Sequence, residues 1–146
     1  MKETPSIDVW IAGFDEKLRA FPLQTQRILK LAGRDAIEMI RRRIQTGGGG
    51  VDDKFTDYSV YWEGVRKRKG MQTGYKDFDF TGDMWKSTKE IESSPDRVVI
   101  GPTGAKNRLK AEYNVEREDQ YILDVTPKER QIIERNIERM VIKFFT

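Results

Sequence analysis

Three aspartates, Asp77, Asp79 and Asp83, come nearest in this sequence to a catalytic or metal-binding set. Carboxylates that converge on one point can hold Mg²⁺ or Ca²⁺. A calcium loop needs more oxygen ligands at closer spacing and a closing Glu, which the segment KDFDFTGDMW lacks. Asp77 and Asp79 alternate with Phe78 and Phe80, which predicts a strand with both acids facing water. A nuclease that uses these aspartates with Mg²⁺ stays open as a minor alternative.

Two further segments could belong to known chemical motifs. The four glycines at positions 47–50 invite comparison with a phosphate-binding loop, but that loop follows a strand and ends in Gly-Lys-Ser/Thr. Here the run follows a helical pattern and no such triplet occurs. Pro95-Asp96 begins a nuclease-like pattern, but no Asp/Glu-x-Lys follows in the next predicted strand. The glycines instead predict a flexible loop that orders against a partner, and Pro95-Asp96 predicts a turn.

The composition narrows the chemistry further. The chain of 146 residues has no Cys and no His, which removes thiol nucleophiles, thiolate metal sites and the usual general base near neutral pH. Catalysis would have to use carboxylates, Lys or Tyr alone, and since no carboxylates pair and no nucleophile has an evident base, we expect a protein that is not an enzyme and has no cofactor. Hydrophobic residues make up 37 % and no apolar run reaches membrane-spanning length. We expect a soluble protein, made in the cytoplasm, without a membrane partner.

Charge is distributed unevenly along the chain. The net charge is +3, yet residues 26–110 carry 18 basic and 12 acidic side chains, a net charge of +6. Residues 111–146 carry 6 basic and 8 acidic side chains, a net charge of −2. This pattern suits either a polyanion or a neighbouring copy of the chain with opposite charge.

The N-terminal half reads as helix. A short helix is expected near residues 6–21, with Gly13 as a break and an apolar face made of Trp10, Ile11, Phe14 and Leu18. Pro22 is then expected to open a strong helix to about Gln45, because proline fits the first turn. Its apolar face recurs with the helical period: Leu29, Ala32, Ala36, Ile40 and Ile44, with Ile37 beside them.

The C-terminal half predicts a hairpin and a last helix. Residues 86–103 read as two short strands around a turn at 93–96, and residues 105–114 as one or two helical turns. Thr126, Pro127 and Glu129 form a capping box that begins a helix to about Phe144. Its apolar face is Ile133, Ile137, Met140, Val141 and Phe144. The fold class is α+β, a small antiparallel sheet packed against two helices in one domain over residues 1–146.

Residues 46–80 form a long loop excursion between these regular parts, and such loops tend to carry function. A short helix is expected over 59–69, followed by a turn capped by Thr81 or Asp83. The candidate subunit-interface residues are the aromatics Phe55, Tyr58, Tyr61, Trp62 and Trp85. The candidate residues that face DNA or a partner are the cations Arg27, Lys30, Arg34, Arg41, Arg66, Lys67, Arg68 and Lys69.

The order of short motifs resembles a known family. The matching residues are Ile44, Thr46 and Gly47; Phe55, Tyr58, Ser59 and Tyr61; Lys67, Lys69 and Gly70; Phe80, Thr81, Gly82, Met84 and Ser87; and Val98, Ile100 and Gly101. Over residues 25–145 this order resembles the neck and tail-completion proteins of tailed bacteriophages, the minor-tail-protein-Z-like and virion-morphogenesis group.

The resemblance implies a structural virion protein that joins or completes the tail at the head–tail interface as a ring of identical subunits. Its expected partners are further copies of itself, other neck, connector and tail-tube proteins, and packaged DNA in the channel. Its expected location is the virion, after synthesis in the host cytoplasm. The alternative is a small basic nucleic-acid-binding protein that uses residues 26–110 on phosphates.

Overall fold

The computed structural model describes the backbone of residues 7–146 and the side chains of residues 16, 17 and 19–146. The elements of this part follow one another along the chain as α1 (Ile7–Gln45), α2 (Val60–Arg68), α3 (Asp83–Ser87), β1 (Thr88–Ser93), β2 (Val98–Pro102), α4 (Ala105–Glu118) and α5 (Pro127–Phe145). The two strands pair antiparallel, with a bulge at Ile91. The α+β prediction is confirmed, since the hairpin packs against the long helix in the N-terminal half and α5 packs beside it.

Helix α1 runs through Pro22 without a break, so the prediction that Pro22 begins a helix is wrong. An interior proline removes a backbone donor and costs about 3 kcal/mol. Tertiary packing offsets this cost, because the Phe21 ring lies 6.1 Å from Phe144 and 5.1 Å from Phe145 in α5. Thr25 Oγ1 also donates to the Phe21 carbonyl at 2.8 Å. The predicted face of Trp10, Ile11, Phe14 and Leu18 lies outside the described side chains.

The predicted apolar face of α1 forms the core. Ala32, Ala36, Ile40 and Ile44 are buried, as is Ile28, which the sequence reading left out. Ile40 and Ile44 pack with three buried residues from later in the chain: Met84, Trp85 and Ile122. The C-terminal end of α1 is therefore fixed to α3 and to the segment after α4, which places the intervening loop beside the core.

The helices α2 and α5 begin close to the residues at which the sequence predicted them. Ser59 caps α2, its hydroxyl oxygen accepting from the Trp62 amide at 3.3 Å. The capping box before α5 is present in full, with Thr126 and Glu129 each accepting from the other's backbone amide. Helix α4 extends to Glu118 and so is longer than the predicted one or two turns.

Residues 46–82, which we term the loop unit, contain α2 and otherwise irregular backbone. The predicted strand at Asp77 and Asp79 is absent from this described segment, because Phe78 takes a left-handed backbone conformation with φ of 53°. Both carboxylates point into hydrogen bonds within the protein instead of facing water. Helix α3 is preceded by left-handed Gly82 without a side-chain cap, so the predicted cap by Thr81 or Asp83 is also wrong.

Candidate functional site

The loop unit is held by a buried ion pair between Arg66 and Asp77. Arg66 is 3 % exposed, and its Nη2 lies 3.0 Å from Asp77 Oδ2. Its other nitrogens donate to the carbonyls of Gln72, at 2.9 Å, and Asp79, at 3.3 Å. Arg66 was predicted to face DNA or a partner. This prediction is wrong, because the guanidinium forms hydrogen bonds that join α2 to the loop that follows it. A buried arginine needs such partners to offset its lost hydration.

A second buried ion pair ties the loop unit to α4. Lys76 Nζ donates to Glu118 Oε1, and the two side chains are 6 % and 1 % exposed. Thr56 completes the set, because its amide donates to Glu118 at 2.8 Å and its hydroxyl accepts from Lys76 at 2.7 Å. Burial alone would raise the pKa of the Glu118 carboxyl, but the hydrogen bonds from Lys76 and Thr56 outweigh it and hold that pKa below its usual value.

Three of the five predicted interface aromatics make contacts inside the protein that hold the loop unit in place. Trp85 is 2 % exposed and donates through Nε1 to the Asp77 carbonyl at 2.9 Å. Phe55 packs edge-on against Phe78 at 4.9 Å. Half-buried Tyr58 donates to Asp77 Oδ1 at 3.2 Å, and burial raises its pKa to about 12. The assignment of Trp85 to a subunit interface is therefore corrected, since it belongs to the core.

The other two predicted aromatics are exposed on α2. Tyr61 is 70 % exposed and Trp62 is 42 % exposed, and their rings meet edge-on at 5.6 Å. Trp62 in turn meets Phe80 at 5.6 Å, and Lys69 Nζ lies 5.5 Å from the centre of the Phe80 ring. Exposed aromatic rings beside a cation are a type of surface that many binding sites use. Phe80 was not among the predicted site residues; the predicted strand placed it on the same face as Phe78, whereas the structure leaves Phe80 exposed and Phe78 half-buried.

A cleft of about 310 Å³ lies between α2 and α4. Its lining combines aromatic side chains with cations: Tyr58, Trp62, Phe78, Phe80 and Tyr113 with Arg66, Lys76, Lys110 and Arg117. Arg66 and Lys76 are neutralised in the buried pairs, whereas Lys110 and Arg117 form no ion pair among the described residues. The cleft can therefore take a planar ring beside an anionic group.

The predicted basic residues divide into two groups in the structure. Arg27 and Arg34 are exposed on α1, while Lys30 lies 3.8 Å from Glu90 and Arg41 donates to Gln45 at 3.2 Å. The second group surrounds the end of α2, where Lys67, Arg68 and Lys69 are all exposed. Lys67 pairs with Glu63 at 2.7 Å. The fold does not bring the two groups into one patch by any described contact.

The glycine run is ordered by the chain's own contacts, so the prediction of a loop that orders against a partner is wrong. Gly49 is buried with φ of +74°, and its carbonyl accepts from Arg43 Nε at 3.1 Å. Arg43 also pairs with Glu129 and donates to the Asp124 carbonyl at 2.8 Å. Glycine is required at position 49 because of its left-handed backbone and the close approach of Lys54, whose Cα would lie 3.0 Å from a Cβ.

A second depression is an apolar groove of about 290 Å³ along α1, between β2 and α5. Its lining residues are Leu29, Ala32, Gly33, Ala36, Ile40, Val98, Ile100, Leu123, Asp124, Val125, Ile133 and Ile137. Asp124 is the one charged residue among these described residues. No signal from any single segment of the sequence could have shown this groove, because four separate parts of the chain form it.

The aspartates that suggested metal chemistry have other roles. Asp77 is used by Arg66 and Tyr58, Asp79 accepts from Gln45 Nε2 at 3.1 Å, and Asp83 lies exposed in α3. Within the described residues, no three acidic side chains gather as metal ligands. Nor does any helix of the described part combine the length and apolar character needed to cross a membrane. Comparison of the chain with protein-family models, curated proteins and solved structures finds no match.

Proposed function

We propose that the protein is a structural virion protein of a tailed bacteriophage that joins or completes the tail at the neck as a ring of identical subunits. The geometric observation that supports this role is the braced loop unit with its exposed tip on α2. Two buried ion pairs hold the unit in one conformation, and Tyr61 and Trp62 stand outward from it. A rigid projection with exposed aromatic side chains is suited to a permanent protein contact.

The order of motifs over residues 25–145 supports the same role. Motif residues such as Gly82 and Tyr58 have defined structural uses here: Gly82 supplies a left-handed turn before α3, and Tyr58 braces Asp77. In this role the partners are further copies of the chain and the neck, connector and tail-tube proteins above and below. The exposed arginines Arg27 and Arg34 on α1 are the residues that we propose to face packaged DNA.

Composition of assembled particles tests this proposal. Virions of the phage that encodes the chain are purified and their proteins are identified and counted by quantitative mass spectrometry. We expect the chain in a fixed copy number per particle, and we expect deletion of its gene to leave heads and tails unjoined or tails incomplete. Purified virions without the chain, or a deletion that leaves normal particles, would overturn the proposal.

The cleft favours one second function, the binding of single-stranded nucleic acid. Exposed Phe80 and Tyr113 offer stacking surfaces, and Lys110 and Arg117 are free to contact phosphate. This function predicts a dissociation constant in the micromolar range or tighter for a labelled oligonucleotide, with a steep loss of affinity as salt rises. A double substitution of Lys110 and Arg117 by Ala should weaken binding, while Arg139→Ala, at an exposed cation of α5 outside the cleft, serves as the control. Absence of binding at low salt excludes it.

A further inference from the structure

Helix α5 is incompletely covered by its own chain. None of its nineteen residues, all of which the structure describes, is buried. Ile133 and Ile137 line the apolar groove and are half-buried, and Ile132 and Ile142 are 38 % and 54 % exposed. An amphipathic helix normally buries its apolar face, so the groove beside α5 has hydrocarbon surface left for a partner.

The outer face of α2 carries the matching feature. Val60 is 89 % exposed and Tyr61 is 70 % exposed, and Gly64 lies one turn further along the same face. Glycine weakens a helix, yet no contact among the described residues requires it at this position. A Cβ there would meet, among the described atoms, only the end of the Arg68 side chain, at 3.5 Å. A helix face with two exposed apolar side chains and a glycine permits another backbone to approach closely.

We infer that the outer face of α2, made of Val60, Tyr61 and Gly64, packs into the apolar groove of a second copy of this chain. Val60 and Tyr61 line neither the cleft nor the groove of their own copy. The groove has one charged lining residue, Asp124, and the inserted face has one polar group, the Tyr61 hydroxyl. A hydroxyl donor opposite a carboxylate acceptor is the pairing that an apolar contact needs.

Charge complementarity favours a second copy over an unrelated partner. Apart from buried Arg66, the segment Val60–Lys69 carries Lys67, Arg68 and Lys69 with one acidic residue, Glu63, a net charge of +2. Leu123, Asp124 and Val125 form one wall of the groove, and the segment 119–125 that contains them carries Asp119 and Asp124 and no cation, a net charge of −2. When α2 enters the groove, its cationic end therefore approaches an acidic wall.

The two surfaces differ, so the contact is head-to-tail and leaves one free α2 face and one free groove on every pair. Such a contact adds further copies and closes into a ring when the rotation permits. The inference rests on the proposed function in that it identifies the joint between subunits of the ring. Its test can nevertheless fail while the virion assignment stands.

Mixing of two single-surface variants tests the contact. Tyr61→Asp places a carboxylate against Asp124 and disables the α2 face, and Leu29→Asp disables the groove. Wild type is expected to form species larger than a dimer as its concentration rises in sedimentation velocity. Each variant alone should associate about tenfold more weakly or worse. The equimolar mixture should form a one-to-one dimer and nothing larger, since one intact α2 face and one intact groove remain.

Controls separate this contact from misfolding and from other modes of association. Leu109→Asp changes a side chain that is 65 % exposed on α4, outside both surfaces, and should associate like wild type. If circular dichroism shows that Leu29→Asp does not fold, Asp124→Arg replaces it as the groove variant. Mixed variants that stay monomeric, or Tyr61→Asp that associates like wild type, overturn the contact. Detection of the chain in purified virions, with either of those results, retains the proposed function and rejects only this joint.

Discussion

The loop unit is held together by buried charge, whereas α5 is held to α1 mainly by half-buried hydrocarbon, with one ion pair, Arg43 to Glu129, at its first turn. In the loop unit Arg66 and Lys76 are buried and paired, Lys76 with buried Glu118 of α4. In α5 no described residue is buried at all. Paired buried charges tolerate few alternative arrangements, because any shift leaves a charge without a partner. Hydrocarbon contacts are less directional and can accept a new neighbour.

This difference assigns the two regions complementary tasks. The loop unit keeps α2 in one orientation, so the aromatic side chains on its outside present a fixed surface. The α1–α5 region leaves a groove whose burial is completed only when something enters it. Head-to-tail assembly needs two different surfaces on one chain, a rigid projecting face and an open groove that can take it.

The largest expected effect comes from breaking the buried pair in the loop unit. Glu118→Ala leaves the Lys76 ammonium buried without a counter-charge and should lower the free energy of unfolding by about 3–5 kcal/mol. The exposed pair of Lys67 and Glu63 is the matched control, and Lys67→Ala should cost about 0–1 kcal/mol. Urea unfolding of the two variants measures both. Similar small losses for both would show that the loop unit does not depend on buried charge.

Acid should weaken the same pair. The folded-state pKa of Glu118 lies below its ordinary value of 4.5, so its stabilising effect is present above that value and is lost as pH falls through the folded pKa. Unfolding measured from pH 6 downward should show stability falling below about pH 4.5. The double variant Lys76→Met with Glu118→Leu removes the titrating pair and should show a shallower fall over that window. An unchanged slope would contradict the assignment.

The parts of this fold that were predictable from sequence are those with local signals. The capping box at Thr126 and the short helix expected over 59–69 depend on neighbouring residues, and the structure has the capping box and α2 where they were predicted. The pairing of Lys76 with Glu118 spans 42 residues and leaves no local mark. Arg66 also begins a run of four cations, and no neighbouring residue indicates that it alone is buried. Whether one member of such a run is buried depends on contacts with residues that are distant in the sequence. No short stretch of the sequence shows those contacts.

Two glycine substitutions should have the smallest effects on stability, and these effects should differ in sign. Gly49→Ala forces a left-handed backbone on alanine and brings its Cβ to 3.0 Å from Lys54 Cα, so it should lower the free energy of unfolding by about 1–2 kcal/mol. Gly64→Ala, in a regular helix, makes only an ordinary contact with the end of the Arg68 side chain and should raise the free energy of unfolding by about 0.5–1 kcal/mol. If the outer face of α2 enters a groove in another copy, the more stable Gly64→Ala chain should also self-associate more weakly. Thermal unfolding of the monomer and sedimentation of the same sample measure the two effects together. A Gly64→Ala protein that gains stability and associates like wild type would show that the glycine makes no contact and would remove one of the observations behind the proposed joint.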